Sequence, residues 1–312
     1  MTGPGTDLHH HRPLGDSALR LSSLTLGCML FGTRTSVDDS RAMLRAYLEA
    51  GGNSLDTANI YGAGVAEETL GQLLRELPPA TRAAAVVTTK FHFGVGPDAD
   101  RPGHRGNHRA NVLRSCEDSL RRLGLEHIDL YLAHRPDPDT PIEETLAALD
   151  ELVAAGKVRE VGSSNFSAAQ LEAARGAGAS AGLPRFVCEQ TPFNLLDRAG
   201  EEDVIPVCTR LGIGVTAWSP LGGGLLSGKY NQGPPGSTDG RYDLNLEHAR
   251  QARRTSASLE AAAALMEVAR TVGCSPAQLA LSWHVQHPGL TSTLIGPRTM
   301  EQFHDNLAAL GV

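Results

Sequence analysis

Four titratable side chains fall at or just beyond the ends of short apolar runs that look like buried strands. Asp56 ends one run, and Tyr61 follows in the turn after it. Lys90 ends the next run, and His134 ends the one after that. A carboxylate, a phenol, an ammonium and an imidazole brought together can hold, polarise and transfer a proton. We therefore expect a catalytic site if these strand ends converge in space.

Each of these residues also has an ordinary structural explanation when it is taken alone. Lys90 would be a surface lysine at a strand end, and His134 a capped histidine. Asp56 with Tyr61 would be a turn that leads into a helix. The joint occurrence of all four in consecutive units is much harder to explain in this way, and it favours chemistry.

The elements that must position these residues are eight short strands that alternate with helical patterns. Most of the strand runs are continuously apolar, which is typical of a parallel sheet covered by helices. The runs cover residues 24–27, a segment ending at 56, and residues 85–90, 127–134, 158–163, 186–190, 214–218 and 292–295.

Eight such units in 312 residues favour a closed (β/α)8 barrel, or TIM barrel, over an open doubly wound sheet. The first strand–helix turn also lacks the Gly-x-Gly-x-x-Gly of a dinucleotide-binding half. We expect one domain over residues 1–312, with a disordered tail over 1–13 and a small β-hairpin within 18–27. The segment 219–254, after the seventh strand, is too long for a plain connection, so it is either a functional lid or a disordered loop.

The composition disfavours several classes of protein. A net charge of −7 argues against nucleic acid or an anionic membrane as the main partner, since both select basic surfaces. The five cysteines are widely spaced and odd in number, so neither a disulfide framework nor a metal site is indicated. No apolar stretch is long enough to span a bilayer. We expect a soluble, cytoplasmic protein without a metal, in which a local basic pocket could still hold a phosphorylated cofactor.

Ordered motifs along the chain carry a resemblance to a known family. They are Gly-Cys-Met-Leu-Phe-Gly at 27–32, Asp-Thr-Ala-Asn-Ile-Tyr-Gly at 56–62, Ser-Leu-Arg-Arg-Leu-Gly at 119–124, Ile-Asp-Leu-Tyr at 128–131, Gly-Ser-Ser-Asn-Phe at 162–166, Glu-Gln at 189–190 and Trp-Ser-Pro-Leu at 218–221. Each motif is weakly specific, but the ordered set is strongly so. The sequence resembles the aldo-keto reductases over nearly its whole length.

The resemblance implies a catalytic tetrad and a role for each member. Tyr61 would donate a proton to a carbonyl oxygen during reduction and accept one in the reverse reaction. Tyrosine has a reference pKa near ~10, which a nearby ammonium such as that of Lys90 would lower. Asp56 would keep Lys90 charged and oriented, and His134 would hydrogen-bond the carbonyl oxygen.

The same resemblance implies a nicotinamide cofactor, with NADPH favoured over NADH. Ser164, Asn165 and Gln190 match the residues that hold the carboxamide, and Trp218 matches the aromatic residue on which the nicotinamide stacks. A glycine-rich segment with hydroxyls and an ammonium suits a pyrophosphate, and an arginine at a helix start suits a 2′-phosphate. The other cofactor-binding residues that we expect are Cys28, Met29, Ser219, Pro220, Leu221, Gly224, Ser227, Lys229, Gly296, Arg298, Gln302 and Asn306.

The substrate is expected to be a small carbonyl compound bound by loops, because the chain stops at Val312 directly after the last predicted helix. The expected pocket residues are Phe31, Ile60, Phe91 and Arg135. Two functions stay open: an NADPH-dependent reductase of an aldehyde or ketone, such as a keto-sugar, and an NADPH-binding regulatory or assembly module resembling the β subunits of potassium channels. The oligomeric state is also open, and a second copy in a homo-oligomer could complete the pocket.

Overall fold

Ten strands form a two-stranded hairpin and a closed eight-stranded barrel in the computed structural model, which describes residues 8–97, 99–101, 103–231 and 255–312. The barrel strands are parallel and follow one another round the barrel in chain order, so the expected (β/α)8 fold is confirmed. The strands are β1 Arg12–Pro13, β2 Arg20–Leu21, β3 Leu24–Gly27, β4 Ser54–Asp56, β5 Val86–Phe91, β6 Ile128–Ala133, β7 Val158–Ser164, β8 Cys188–Pro192, β9 Gly214–Trp218 and β10 Ser292–Ile295.

The register of the barrel brings the strand ends to one level. Gly27 pairs with Asp56, and Asp56 pairs with Thr88 of the next strand. Lys90 pairs with Leu132, close to the end of β6. Because all eight strands run in the same direction, the residues at their carboxyl ends open onto the same mouth.

Helices connect the strands, and their ends carry residues that helix termini favour. Ser167 and Ser275 begin the helices Ala168–Ala181 and Pro276–Gln286 with capping boxes. Gly124 and Gly212 end the helices Arg109–Leu123 and Val204–Leu211 in the left-handed conformation, which glycine adopts without strain. The helices of the described residues are α1 Val37–Glu49, α2 Val65–Arg75, α3 Pro79–Ala84, α4 Arg109–Leu123, α5 Ile142–Ala154, α6 Ala168–Ala181, α7 Val204–Leu211, α8 Ser256–Val272, α9 Pro276–Gln286 and α10 Met300–Ala308.

An N-terminal hairpin is present as expected, but it pairs Arg12–Pro13 with Arg20–Leu21. Its first strand, β1, therefore precedes the expected range 18–27 and lies within the expected disordered tail. Leu8 is buried, and the Arg12 guanidinium donates to the Val285 carbonyl at 2.7 Å. Within residues 8–13, an apolar and a cationic side chain therefore both have partners on the barrel. Residues 1–7 lie outside the described residues.

The hairpin closes the end of the barrel opposite to the mouth. Leu14 and Leu21 are buried in one apolar cluster with Leu130 and Leu132 of β6. The backbone N–H of Asp16 donates to the Gly212 carbonyl at 2.9 Å, just before β9 begins. Apolar residues thus fill this end, and the mouth is left for polar groups.

The long segment after β9 is described only in part. It begins with a 3-10 helix over Gly222–Ser227, while residues 232–254 of the expected lid or loop lie outside the described residues. Within the described part of the chain, no helix is long and apolar enough to cross a membrane. The same residues contain no group of acidic, histidine and cysteine side chains that could hold a metal, and the five cysteines are free thiols.

Candidate active site

The four residues expected to act together meet at the mouth of the barrel. Lys90 Nζ donates to Asp56 Oδ1 at 2.6 Å, and the ammonium lies 5.1 Å from the centre of the Tyr61 ring. The Tyr61 and His134 rings meet edge to face, with 5.8 Å between their centroids. The structure thus brings Asp56, Tyr61, Lys90 and His134 into one cluster.

Lys90 is the centre of this cluster, and its side chain is completely buried. Burial alone would lower the pKa of Lys90, but the charges and hydrogen bonds of Asp56 and Tyr61 outweigh it and raise the pKa above its ordinary value. A further hydrogen bond runs from Nζ to the Thr57 carbonyl at 2.8 Å. The ammonium therefore stays charged at neutral pH and faces the Tyr61 phenol.

His134 presents a neutral imidazole to the same space. Burial, together with electrostatic interactions with Lys90, His92 and Arg135, holds the pKa of His134 well below its ordinary value. The backbone N–H of His134 donates to the Phe91 carbonyl at 2.9 Å, which fixes the residue at the end of β6. A neutral imidazole keeps one N–H, and that group can donate to a carbonyl oxygen.

Ser164, Asn165 and Gln190 form a hydrogen-bonded group at the ends of β7 and β8. Ser164 Oγ donates to the Gln190 carbonyl at 2.8 Å, and the Asn165 backbone N–H donates to the same oxygen at 3.0 Å. The exposed Asn165 side chain reaches the end of β6, where its Nδ2 donates to the His134 carbonyl at 3.0 Å. Amide and hydroxyl groups in this arrangement suit a carboxamide ligand.

Backbone strain marks the same end of the barrel. The non-glycine residues with positive φ in the described part of the chain are Ala63 at 54°, His92 at 132°, Asn165 at 63° and Ser219 at 59°. Each lies in a loop that follows the carboxyl end of a barrel strand. Such conformations cost about 1–3 kcal/mol each and cluster at functional sites. They point to the barrel mouth independently of the tetrad.

The segment after β9 carries the residues expected at the nicotinamide and the pyrophosphate. Trp218 ends β9 half-buried, and residues 222–224 are three successive glycines with positive φ. The backbone N–H groups of Gly222 and Gly224 donate to the Ser219 and Leu221 carbonyls at 2.9 Å, which closes the turn. Gly224 has a φ of 101°, and a Cβ there would lie 2.9 Å from Lys229 Cε, so another residue would be strained and would displace that side chain. Ser227 Oγ donates to the Gly224 carbonyl at 2.7 Å and stabilises the turn. Between these groups lie Ser219, Pro220 and Leu221.

The loop after β10 leads into α10 and contains the residues expected at the 2′-phosphate. The exposed Gly296 starts the loop, and the backbone N–H of Arg298 donates to Gln302 Oε1 at 2.9 Å. Thr299 caps the helix by accepting from the Gln302 backbone N–H at 3.3 Å. Asn306 is buried one turn further along the helix. A helix N-terminus beside an arginine is a natural site for an anion.

Two expected cofactor residues follow β3. Cys28 is completely buried, and its backbone N–H donates to the Asp56 carbonyl at 2.8 Å. Burial raises the pKa of its thiol far above the ordinary range, so the thiol is an inert packing group. Met29 is half-buried and keeps surface at the mouth. Only Met29 of the pair therefore has side-chain surface for a ligand.

The structure corrects two of the expected substrate-pocket residues. Phe91 is completely buried and packs against Tyr131, with 4.8 Å between the ring centroids. Phe31 is buried in the apolar cluster that includes residues of α1. Strand side chains alternate, so Phe91 faces outwards because Lys90 faces inwards. Phe93 packs edge to face on His134 at 5.3 Å instead. The other two expected pocket residues, the half-buried Ile60 and the exposed Arg135, lie at the mouth.

Sequence reasoning also missed residues that support the cluster. Glu67 on α2 is buried and forms an ion pair with Arg122 on α4, Nε to Oε2 at 2.7 Å. Glu189 on β8 is buried beneath the Asn165 turn, where it accepts from Ser163 Oγ at 2.5 Å. Burial raises the pKa of Glu189 to about 8, with hydrogen bonds opposing the shift. Glu189 stands beside Gln190 in a family motif, but only the fold shows that its side chain faces away from the barrel interior.

The fold and the site together define a (β/α)8 barrel with a buried lysine–carboxylate pair against a tyrosine and a neutral histidine at the carboxyl ends of its strands. The sequence profile described as the aldo/keto reductase family matches residues 23–312. The chain therefore belongs to the aldo/keto reductase family, a family of oxidoreductases.

Individual relatives carry two kinds of name. An uncharacterized oxidoreductase, YrpG, of Bacillus subtilis is 36% identical over 305 residues, which cover 96% of this chain and 90% of the relative. A putative voltage-gated potassium channel subunit beta of Schizosaccharomyces pombe is 35% identical over 303 residues, 96% of this chain and 87% of the relative. A probable voltage-gated potassium channel subunit beta of Arabidopsis thaliana is 34% identical over 305 residues, which cover 97% of this chain and 91% of the relative.

Proposed function

We propose that this protein is an NADPH-dependent carbonyl reductase in which Tyr61 donates the proton. One observation carries the proposal: the buried Lys90 ammonium lies between the Asp56 carboxylate and the Tyr61 ring, next to the neutral His134. The coarse class, an oxidoreductase, follows from the family. The identity of the cofactor, the roles of the residues and the substrate are our proposals.

Reduction of a carbonyl group builds negative charge on its oxygen, and the cluster supplies groups that meet that charge. The His134 N–H donates a hydrogen bond to the oxygen and orients it. Tyr61 transfers its proton to the oxygen, and the Lys90 ammonium stabilises the phenolate that is left. Asp56 holds the ammonium in place without neutralising it, because Lys90 keeps a raised pKa. The nicotinamide cofactor supplies the hydride when it is bound.

The residues around the mouth fit such a cofactor. Ser164, Asn165 and Gln190 would take the carboxamide, and the indole of Trp218 would pack on the ring. The three glycines after β9 and Lys229 would face the pyrophosphate. Arg298 at the start of α10 would take a 2′-phosphate, and this is why we propose NADPH over NADH. Parallel binding titrations with the two cofactors test the preference.

The substrate that we propose is a small polar carbonyl compound, such as a keto-sugar or a short aldehyde. The mouth offers the apolar ring of Phe93 beside the guanidinium of Arg135, whose Cζ lies 6.0 Å from the ring centre. Such a mixed surface accommodates both apolar and hydroxylated groups. A panel of aldehydes and ketones, followed by loss of NADPH absorbance, would rank the candidates.

Substitution of the proposed acid tests the chemistry directly. We expect Tyr61→Phe to reduce kcat by at least about a hundredfold, because the aromatic ring stays while the proton donor is lost. NADPH affinity, measured by quenching of tryptophan fluorescence, should stay close to that of the unmodified protein. Turnover at the unmodified rate in the variant would show that another group is the acid.

A second candidate function is an NADPH-binding module that regulates or assembles with a partner. Its support is the similarity to relatives named as potassium channel β subunits, which covers nearly the whole of this chain. The two candidates differ in turnover. Steady-state reduction of substrates on the panel supports the reductase, whereas oxidation of a single equivalent of bound NADPH, without further cycles, supports the module.

A further inference from the structure

Gln190 makes a contact that a role in holding a cofactor does not explain. Its side chain is almost completely buried, and its Nε2 donates to Asp56 Oδ2 at 2.8 Å. The other carboxylate oxygen of Asp56 accepts from Lys90. The carboxylate is therefore held from two sides, by an ammonium and by an amide.

The contact spans the barrel. Gln190 lies on β8 and Asp56 on β4, and these strands stand four places apart in an eight-stranded ring, on opposite sides of it. A glutamine side chain that crosses the interior and pairs with a carboxylate fixes both groups in one geometry. This is a demanding arrangement, because a buried carboxylate oxygen left without a donor costs free energy.

The geometry of Asp56 determines what the ammonium can do. An ammonium has three N–H donors. In Lys90 these serve Asp56 Oδ1, the Thr57 carbonyl and the Tyr61 hydroxyl. Without the amide of Gln190, the Asp56 carboxylate could rotate, and the ammonium that it binds would turn away from the phenol. The Tyr61 phenolate would then be stabilised less.

The backbone of the same residue reaches the proposed carboxamide site. The Gln190 carbonyl accepts from Ser164 Oγ and from the backbone N–H of Asn165, which has a positive φ. One residue thus joins the turn that would hold the nicotinamide to the ion pair that faces the proton donor.

We infer that Gln190 is a positioning residue of the proton-donating group: its amide holds Asp56 so that Lys90 stays directed at Tyr61. The inference rests on the proposed function in one respect, the assignment of Tyr61 as the acid. The amide acts through the carboxylate and the ammonium, and it does so before any cofactor is bound.

The test is a titration of Tyr61 in the protein without cofactor or substrate. Tyrosinate absorbs in the near ultraviolet, and subtraction of the matching Tyr61→Phe protein isolates the signal of this one phenol. Gln190→Met keeps the length of the side chain and removes the donor. We expect it to raise the pKa of Tyr61 by about one unit, a tenfold loss of phenolate stabilisation.

Ser164→Ala is the matched control, because it removes a hydrogen bond to the Gln190 carbonyl and leaves the Asp56 contact. It should leave the pKa of Tyr61 unchanged, although Ser164→Ala and Gln190→Met should both lower NADPH affinity. In the active enzyme, the alkaline limb of the kcat profile should move upwards in Gln190→Met by the same amount as the titration. Equal titration curves for Gln190→Met and the unmodified protein would overturn the inference.

A second variant keeps the inference testable if Gln190→Met fails to fold. Separate measurements distinguish a failure of this inference from a failure of the proposed function. Gln190→Glu keeps the size of the side chain and places a second carboxyl group against Asp56, so it should raise the pKa of Tyr61 further. If both variants failed to fold, the amide would be a requirement of the fold, and the inference would be overturned. Absence of turnover in the unmodified protein would contradict the proposed function alone, since the titration needs no catalysis.

Discussion

At the scale of single residues, the protonation state of His134 decides what it can contribute. Its pKa is held well below the ordinary value first by burial and then by electrostatic interactions with Lys90, His92 and Arg135. The sign of the shift matters: a histidine with a lowered pKa is unprotonated throughout the range in which an ordinary histidine titrates. It can therefore contribute a neutral hydrogen-bond donor, and in the function that we propose the proton comes from Tyr61.

This leads to a prediction for the pH profile. We expect kcat/KM for a good carbonyl substrate to show no ionisation of His134 between about pH 6 and 8. His134→Gln keeps an N–H donor, so it should lower kcat/KM without changing the shape of the profile in this window. An acid limb near about 6.5 that disappears in His134→Gln would contradict the neutral assignment.

The convergence of the tetrad could be predicted from the sequence, because parallel strands in one barrel end at one mouth. Asp56, Lys90 and His134 each end an apolar run, and that pattern was sufficient. The contact between Gln190 and Asp56 could not be predicted in this way. It depends on the width of the barrel and on a side-chain rotamer, and neither is written in the spacing of residues.

At the scale of elements, a buried ion pair joins α2 to α4 beside the tetrad. Arg122 Nε lies 2.7 Å from Glu67 Oε2, and the Glu67 side chain is fully buried. Thr89 Oγ1 on β5 donates to the other Glu67 oxygen at 2.5 Å. Since Thr89 directly precedes Lys90, the ion pair also links both helices to the strand that carries Lys90.

Loss of one partner of this pair should be costly. We expect Arg122→Met to lower the free energy of unfolding by about 3–5 kcal/mol, because it leaves a buried carboxylate without its cation. Adding Glu67→Gln in the same protein removes that charge and should recover much of the loss. Denaturant unfolding of the single and double variants measures both, and a double variant as unstable as the single one would contradict this explanation.

Most strands follow from the sequence, because short apolar runs mark them, and β9 and β10 have the expected bounds. Whether an individual strand side chain points into the barrel or towards the helices is harder to predict from the sequence. In β5, whose sequence is Val-Val-Thr-Thr-Lys-Phe, polar and apolar residues do not alternate, so the sequence does not show which side chains face the barrel interior. Only the inward direction of Lys90 in the folded barrel settles that Phe91 faces the helices.

At the scale of the whole molecule, the two ends of the barrel differ in the residues that they contain. The carboxyl ends of the strands hold the titratable cluster and the strained loops, while the hairpin fills the opposite end with Leu14 and Leu21. The sequence did not reveal that residues 8–13 take part in this closure. The segment is polar and rich in histidine, and its anchoring depends on backbone acceptors such as the Val285 carbonyl, which no sequence pattern displays.

The separation of the two ends predicts that stability and function can be changed independently. Leu14→Ala should lower the free energy of unfolding by about 2–5 kcal/mol, because it leaves a cavity in a completely buried cluster at the closed end. Well below its melting temperature the variant should bind NADPH with unchanged affinity, since the barrel strands separate the cavity from the mouth. Tyr61→Phe should have the opposite effect: it should lose turnover, while its melting temperature stays that of the unmodified protein. Thermal unfolding and NADPH titration of both variants measure this, and a large loss of cofactor affinity in folded Leu14→Ala would show that the two ends are coupled.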